Sequence, residues 1–208
     1  MSEIISADNG KILISAPSGY GKTYFVTALL KQALLRKWKI KILSYTKTVE
    51  NRYWSELEEQ GAEIVYTEKT NQESLLNFLF SLKNGNVIAY IDDIDLYIKD
   101  KDTDTLDILS DYFSACRKSN IILVMSLKSI RSFYNKFFEL SSFQIIGKFS
   151  RYSPSWDSWG IENLKQLMFN LKDHEFIFKY NDEIKIVYIE NGIIKAKEPE
   201  LNLKNIKT

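Results

Sequence analysis

The stretch "SAPSGYGKTYF" (residues 15–25) decides the fold class of this 208-residue chain. The apolar run before it, "KILIS" (11–15), is typical of a short buried strand, and a helical pattern of apolar residues begins directly after it. Gly19 and Gly21 permit the positive backbone dihedrals that turn successive N–H groups inward, and a helix N-terminus adds about half a positive charge. A strand, a glycine-rich loop and a helix in this order predict a cradle for phosphate groups.

The loop matches the P-loop pattern G-x-x-x-x-G-K-[ST] at every fixed position but the first, where Ala16 replaces glycine. We expect Lys22 to bridge the β- and γ-phosphates of ATP and the Thr23 hydroxyl to bind Mg²⁺. The nucleotide-binding residues that we predict are Pro17, Ser18, Gly19, Tyr20, Gly21, Lys22, Thr23 and Tyr24. The alternative is a glycine-rich turn that only caps a helix.

A pair of aspartates ends the apolar run in "NVIAYIDDID" (86–95). We predict that Asp92 holds the Mg²⁺ shell and that Asp93 orients or deprotonates the attacking water. A carboxylate pair at this position favours hydrolysis over phosphoryl transfer to a small molecule. The alternative is an acidic strand end in a solvated turn.

The segment "IILVMS" (121–126) is predicted to be a strand that ends in a polar residue. In P-loop ATPases with an added strand between the nucleotide strand and the acidic strand, the residue at this end senses the γ-phosphate. We therefore predict Ser126 as a catalytic sensor residue. Lys128 is the rival sensor, and a plain strand end is the third interpretation.

The rest of the chain predicts an α/β fold, because apolar runs alternate with amphipathic helical patterns. We expect a three-layer P-loop NTPase of the ASCE, RecA-like type with a mainly parallel central sheet. Near the C-terminus, alternating apolar and polar residues around the turn signals "ND" (181–182) and "NG" (191–192) predict antiparallel strands. We expect one P-loop ATPase domain over 1–208, with a core at about 11–150, a strand extension at about 160–196 and a tail at 197–208.

Composition excludes several kinds of site. Hydrophobic residues make up 45% of the chain, and no apolar run approaches the roughly 20 residues that span a membrane. Cys116 and His174 are the only residues of their types, so one chain cannot form a disulfide or a Cys/His zinc site. We interpret both as packing or surface residues. The N-terminus lacks the pattern of a signal peptide, so we expect a cytoplasmic location.

Four segments together resemble the FtsK/HerA superfamily of ring-forming, DNA-pumping ATPases over roughly residues 11–190. They are "SGYGKT" (18–23), "KILSYTKT" (41–48), "VIAYIDDID" (87–95) and "ACRKSNIILVMSLKS" (115–129). The ending "HEFIFKYNDEIKIVYIENG" (174–192) is similar to that of the compact genome-packaging ATPases of double-stranded DNA viruses. The chain departs from the family at Ala16 and at Ser126, where the family usually has glutamine.

The resemblance implies an ATP-hydrolysing translocase of double-stranded DNA, and in particular a viral genome-packaging motor. It implies a homo-oligomeric ring, a pentamer or hexamer, that binds DNA without sequence preference and contacts capsid or portal-vertex proteins. A viral protein of this kind would act in the host cytoplasm or associate with the virion. Arg117 matches the arginine finger that acts on the neighbouring subunit, and Lys118 is the alternative. A basic pair that only complements a helix C-terminus is the other interpretation.

Charge is unevenly distributed although the net charge is only +1. Aspartates concentrate between Asp92 and Asp111, and cations between Arg117 and Arg151. From Lys128 onward, cations alternate with aromatic residues, which is compatible with sequence-independent contacts to DNA phosphates. The helical spacing of those aromatic residues favours core or subunit contacts instead.

Other functions use the same motifs. An AAA+-like replication initiator or loader would normally carry a helical lid after the sheet, whereas this chain continues into predicted strands. A nucleotide-binding module without turnover would keep the loop but would not need Asp93. A small-molecule kinase would need an arginine-rich lid over an acceptor pocket, and we find no segment placed for it.

Overall fold

The strands of the molecule build one mixed sheet. The computed structural model describes residues 10–45, 51–83, 85–98, 103–129, 135–150, 155–158, 161 and 164–199. The strands within these residues are β1 (Lys11–Ser15), β2 (Lys39–Tyr45), β3 (Glu63–Thr67), β4 (Val87–Ile91), β5 (Ile121–Leu127), β6 (Phe143–Ile146), β7 (Phe176–Tyr180), β8 (Glu183–Glu190) and β9 (Ile193–Lys197). The helices are α1 (Lys22–Leu35), α2 (Asn51–Glu59), α3 (Gln72–Ser81), α4 (Thr103–Ala115), α5 (Asn135–Leu140), α6 (Ser155–Ser158) and α7 (Lys165–Asn170). Among the helices in these ranges, none has the length and apolar character needed to cross a membrane.

The strand order brings three functionally suspected strand ends together. The sheet runs β3-β2-β4-β5-β1-β6-β7-β8-β9. All pairs from β3 to β6 are parallel, and those from β6 to β9 are antiparallel. Because β5 lies between β1 and β4, the carboxyl ends of these three strands meet at one edge of the sheet. This arrangement confirms the predicted fold, including its C-terminal antiparallel strands.

Helices cover both faces of the sheet. Along β4 and β5 the side chains alternate between the faces, so that Ala89 and Leu123 pack with α3 and α4, while Tyr90 and Val124 pack with α1 and α2. Every residue of β4 and β5 is buried. Burial on both faces is why these parallel strands have almost continuous apolar sequences.

The C-terminal strands form two successive hairpins beside β6. Asn181 (φ 51°), Asn191 (φ 51°) and Gly192 (φ 74°) adopt the positive dihedrals that tight hairpin turns require, which confirms both turn signals. The short helices α6 and α7 precede these hairpins and were not predicted. They contain only four and six residues, too few to show a helical period in the sequence.

Candidate nucleotide site

A pocket of about 390 Å³ lies at the carboxyl ends of β1, β4 and β5. From the predicted nucleotide-binding set, its lining contains Ser18, Gly19, Gly21, Lys22, Thr23 and Tyr24. Both predicted acidic residues, Asp92 and Asp93, line it as well. The fold therefore brings the P-loop and the acid pair, which are about 70 residues apart in the chain, to one cavity.

The backbone of the P-loop has the conformation that its glycines suggest. Gly19 (φ 78°) and Gly21 (φ 95°) are both left-handed, and Gly21 is the N-cap of α1. Ala16, which replaces the first glycine of the pattern, is not among the described residues with positive φ. Its N–H donates to the Leu127 carbonyl at 3.1 Å, so β5 holds the start of the loop. An alanine therefore meets no backbone conflict at this position.

Lys22 is folded back onto its own loop. Its side chain is 7% exposed, and Nζ donates to the carbonyl oxygens of Ala16 (2.8 Å) and Pro17 (3.3 Å). The same Nζ lies 3.7 Å from Asp93 Oδ1. The ammonium group thus occupies the inside of the loop, where an incoming phosphate would offer stronger, charged acceptors.

Three hydroxyl groups orient the carboxylate of Asp92. The Tyr90 hydroxyl donates to Oδ1 at 2.7 Å, Ser126 Oγ lies 3.4 Å from the same oxygen, and Ser44 donates to Oδ2 at 3.5 Å. Burial and the charges of Asp92 and Asp93 raise the pKa of Tyr90 well above its ordinary value, so Tyr90 stays a donor. Asp92 and Thr23 line the same pocket and are the residues that would hold Mg²⁺ there.

Asp93 lies between two lysines. It adopts a left-handed backbone conformation (φ 46°), which is strained for a residue with a side chain. Its Oδ2 is 3.0 Å from Lys128 Nζ, and its Oδ1 faces Lys22. Burial opposes the charge of Lys128, but the hydrogen bond and charge of Asp93 outweigh it and raise the pKa of Lys128 above its ordinary value. Asp93 and Lys128 therefore form a charged pair at the pocket wall.

Ser126 contacts both members of the acid pair from inside the protein core. It is completely buried, its Oγ accepts the Asp93 N–H at 2.8 Å, and the Tyr90 hydroxyl lies 2.9 Å away. The pocket lining contains Lys128 rather than Ser126. Of the two residues considered as γ-phosphate sensors, Lys128 is thus the one that faces the cavity.

Several features of the site have no signal in the sequence motifs. Tyr45, Tyr53 and Leu96 complete the lining, and the rings of Tyr24 and Tyr53 lie 6.1 Å apart. Tyr20, in contrast, points away from the cavity toward the segment before β7. Neither Tyr20 nor Pro17 is among the lining residues. Of the tyrosines that line the pocket outside the P-loop, only Tyr45 could have been suspected from the sequence, because it ends a strand.

Arg117 and Lys118 lie far from this pocket. They belong to the 3-10 turn Cys116–Ser119, which precedes the amino end of β5. The seven residues of β5 separate that turn from the pocket edge by about 20 Å. Lys118 is exposed, and the side chain of Arg117 is outside the described part of the chain. Neither residue is placed to reach this pocket.

The described part of the basic and aromatic segment is mostly packed or paired. Phe137, Phe138 and Trp156 are buried in the core. Lys136 pairs with Asp107 at 2.8 Å, and Lys128 pairs with Asp93. These aromatic residues therefore follow the core interpretation. Arg131, Phe133, Tyr134, Arg151, Tyr152 and Trp159 lie outside the described residues.

Comparisons with solved structures show that this fold is shared with several ATPases and a genome packaging NTPase. The genome packaging NTPase B204 from Sulfolobus turreted icosahedral virus 2, in complex with ATP-gammaS, is 16% identical with a TM-score of 0.62, over 94% of this chain and 100% of that chain. The pCW3 conjugation coupling protein TcpA, also with ATPgS, is 14% identical with a TM-score of 0.60, over 94% and 62%. EssC (ATPases 2 and 3) from Geobacillus thermodenitrificans is 15% identical with a TM-score of 0.62, over 93% and 40%. The resemblance to packaging ATPases is confirmed as one of fold.

Sequence comparisons give the family. No curated protein matches the chain. The model of the ATPase family associated with various cellular activities (AAA) matches residues 12–151, from β1 past β6. This range contains the P-loop, the acid pair and β5, the strand that lies between β1 and β4 in the sheet. The chain belongs to the AAA family and is a P-loop ATPase.

Proposed function

We propose that this ATPase is a ring-forming translocase of double-stranded DNA, of the kind that packages viral genomes. The observation that carries the proposal is the fold likeness to the packaging NTPase B204, which covers 94% of this chain and 100% of that chain. The likeness extends beyond the AAA-matched residues 12–151 into the C-terminal antiparallel strands. A P-loop core with this particular ending supports a packaging-type motor.

The pocket residues fit a magnesium-bound triphosphate. Hydroxyl groups donate to both oxygens of Asp92, but a carboxylate offers about four acceptor sites, so capacity for a cation is left. Thr23 supplies a hydroxyl oxygen on the same pocket. Mg²⁺ held by these two residues would neutralise charge on the β- and γ-phosphates.

Asp93 is the residue that we assign to the attacking water. In the free protein its carboxylate is paired with Lys128 and approached by Lys22. A γ-phosphate carries more negative charge than one carboxylate, so both ammonium groups are expected to move to it. Asp93 is then released to accept a proton from water. We call this exchange of partners the charge exchange.

This assignment makes Lys128 the γ-phosphate sensor. Ser126 takes a positioning role. Its Oγ accepts the hydrogen bond of the Asp93 N–H and so stabilises the left-handed backbone of Asp93, the proposed base. Lys128 links phosphate arrival to the release of Asp93, which a buried serine hydroxyl does not do.

A ring would complete the site. Because the turn that carries Arg117 lies about 20 Å from its own pocket, that arginine is expected to act only on the neighbouring subunit. A positioned arginine is worth roughly 10³ to 10⁵ in rate, so hydrolysis should depend on assembly into a pentamer or hexamer. The expected partners are DNA of any sequence and capsid or portal-vertex proteins. The expected location is the cytoplasm, the host cytoplasm if the protein is viral, or the virion.

Phosphate release with and without duplex DNA tests the proposal. We expect hydrolysis to be stimulated equally by unrelated duplexes and the stimulation to weaken as salt rises, because phosphate contacts release counterions. Lys22→Ala provides the baseline without ATP turnover. Absence of stimulation by any duplex, or a sharp preference for one sequence, would contradict a packaging-type translocase.

The AAA-family match also favours a second candidate, a replication initiator or loader. Such a protein would normally carry a helical lid, whereas the described residues after 164 contain one short helix and three antiparallel strands. A loader is expected to act on a partner protein or a particular origin sequence. The same DNA series therefore separates it from a translocase.

A further inference from the structure

The side chain of Tyr20 connects the P-loop to a turn that lies more than 150 residues further along the chain. Its hydroxyl lies 2.9 Å from the Lys172 carbonyl oxygen and 2.8 Å from that of Glu175. Both partners can only accept, so Tyr20 is the donor. Burial raises the pKa of Tyr20 to about 12, which keeps the hydroxyl protonated. The loop is thus tied to main-chain atoms of this turn.

The ring of Tyr20 is fitted between its neighbours. It packs edge-on against Phe176, with the ring centroids 5.3 Å apart. Gly147 makes room for it, since a Cβ at that position would lie 2.6 Å from Tyr20 Cδ1 and 2.6 Å from Ala16 Cβ. Contacts this short would displace Tyr20 or Ala16, so the ring is closely packed against the backbone of Gly147.

His174 covers the other side of the loop. Its Nδ1 lies 3.1 Å from the Tyr20 carbonyl oxygen, which can only accept, so Nδ1 carries the hydrogen of this bond. A Cβ on Gly21 would be 2.7 Å from the same nitrogen. Gly21 therefore needs to be glycine for two reasons, its left-handed φ and the imidazole lying against it.

An ion pair between Glu175 and Lys197 holds the turn 172–175 in place. Glu175 Oε2 accepts the Lys172 N–H at 2.9 Å, and Oε1 accepts from Lys197 Nζ at 2.7 Å. Burial opposes the charge of Glu175, but the bonds from Lys197 and Lys172 outweigh it and lower its pKa. Lys197 is the last residue of β9. The end of the C-terminal extension is thereby connected to the P-loop.

We propose that the turn 172–175, with Tyr20 and Lys197, is a latch that sets the affinity of the P-loop for nucleotide. Tyr20 is a positioning residue: it immediately precedes Gly21, the left-handed residue at the N-cap of α1. The bonds that join the latch to the P-loop are neutral hydrogen bonds from Tyr20 to the backbone, so an arriving phosphate does not compete for them. The inference rests on the proposed function only in that the P-loop binds a nucleoside triphosphate.

The test compares Tyr20→Phe with Tyr112→Phe. Tyr112 is a matched control because its hydroxyl also donates to the main chain, to the carbonyl of Leu79 at 2.9 Å, and neither residue lines the nucleotide pocket. Loss of one such hydrogen bond predicts about fivefold weaker binding of ATP-gammaS with Mg²⁺ for Tyr20→Phe. In hydrolysis the effect is expected on KM rather than on kcat. Tyr112→Phe is expected to bind like wild type.

Hydrogen exchange of the free protein gives a second readout that needs no nucleotide. We expect faster exchange of the amides of residues 15–24 in Tyr20→Phe and, to a smaller extent, in Lys197→Met. The control for the latter is Lys185→Met, which removes an exposed ion pair with Glu183 on β8. Neither control should change exchange in the loop.

The outcomes separate the latch from the proposed function. Unchanged loop exchange in Tyr20→Phe overturns the latch, whatever the enzyme does. Faster exchange with unchanged ATP-gammaS affinity reduces Tyr20 to a structural role and also overturns it. Failure of the unmutated protein to bind ATP-gammaS overturns the proposed function instead, and the exchange measurement still decides whether the turn holds the loop.

Discussion

The two sides of the P-loop are built from different interactions. On the acid side, Lys22 and Lys128 share the carboxylate of Asp93 at 3.7 and 3.0 Å. On the latch side, Tyr20 and His174 both donate hydrogen bonds to backbone carbonyl oxygens. Charged groups exchange partners when a stronger charge arrives, whereas neutral bonds to the main chain do not. One side of the loop is therefore suited to switch and the other to stay fixed.

The largest expected effect tests the acid side through its base. Asp93→Asn removes the general base and is expected to lower kcat by about 10² to 10⁴. Binding of ATP-gammaS should persist, because the P-loop is untouched. Single-turnover phosphate release and equilibrium binding measure the two quantities. The control is Asp107→Asn, an exposed carboxylate on α4 that pairs with Lys136. A kcat close to that of wild type would remove Asp93 from the chemistry.

A second prediction ranks the two sensor candidates. Lys128→Met should lower kcat by about 10² to 10³, the usual loss when a preorganised transition-state contact is removed. Ser126→Ala should cost less rate, but it leaves the Asp93 N–H without its partner and should lower the free energy of unfolding by about 1 to 3 kcal/mol. Steady-state kinetics and urea unfolding of both variants provide the ranking. The reverse order in kcat would make Ser126 the sensor.

The third prediction tests the latch side with a larger residue at Gly147, which lies against Tyr20. Gly147→Ala would place a Cβ 2.6 Å from both Ala16 Cβ and Tyr20 Cδ1. Overpacking of this kind is expected to cost about 1 to 3 kcal/mol of stability and to weaken ATP-gammaS binding. Urea unfolding and nucleotide titration measure the two effects, with Ser150→Ala as an exposed neighbouring control. Wild-type affinity in Gly147→Ala would show that the fit of Tyr20 does not matter.

The smallest expected effect concerns Asp95, beside the acid pair. Burial, and then the charge of Asp93, raise the pKa of Asp95 above its ordinary value of 3.8. The folded state therefore binds this proton more tightly than the unfolded state, and stability is lost as pH rises from 3.8 through the raised pKa. Asp95→Asn cannot ionise and should unfold at a higher Tm than wild type at neutral pH, with the gain fading toward pH 3.8. Thermal scans across this range check the sign. A gain that does not depend on pH would contradict the argument.

The sequence predicts those parts of the molecule that are encoded locally. The P-loop, the acid pair and both hairpin turns depend on a few adjacent residues whose conformational needs are specific, such as Gly21 and Asn191. The position of β5 between β1 and β4 follows once it is recognised as the added strand, but the order of the other strands was not predicted. Cys116 is buried, as its packing interpretation predicts, and burial raises the pKa of its thiol to about 12.

What the sequence does not reveal is encoded in contacts between distant segments. The pairing of Lys128 with Asp93 depends on how the ends of β4 and β5 meet, and the bond from Tyr20 to Glu175 spans 155 residues. His174, interpreted as a packing or surface residue, lies against Gly21 only because the extension returns beside β6. Ser126 is buried because it shares a sheet face with Tyr90, an alternation that the apolar run of β5 conceals.

The measurement that tests the charge exchange most directly is a crystal structure of the protein with ATP-gammaS and Mg²⁺. We predict that Lys22 and Lys128 contact the γ-phosphate, that Asp93 has lost both lysines, and that the metal lies between Thr23 and Asp92. Tyr20 should still be bonded to the turn 172–175. A nucleotide bound in the pocket while Lys128 remains paired with Asp93, or a metal that contacts neither Thr23 nor Asp92, would contradict this account.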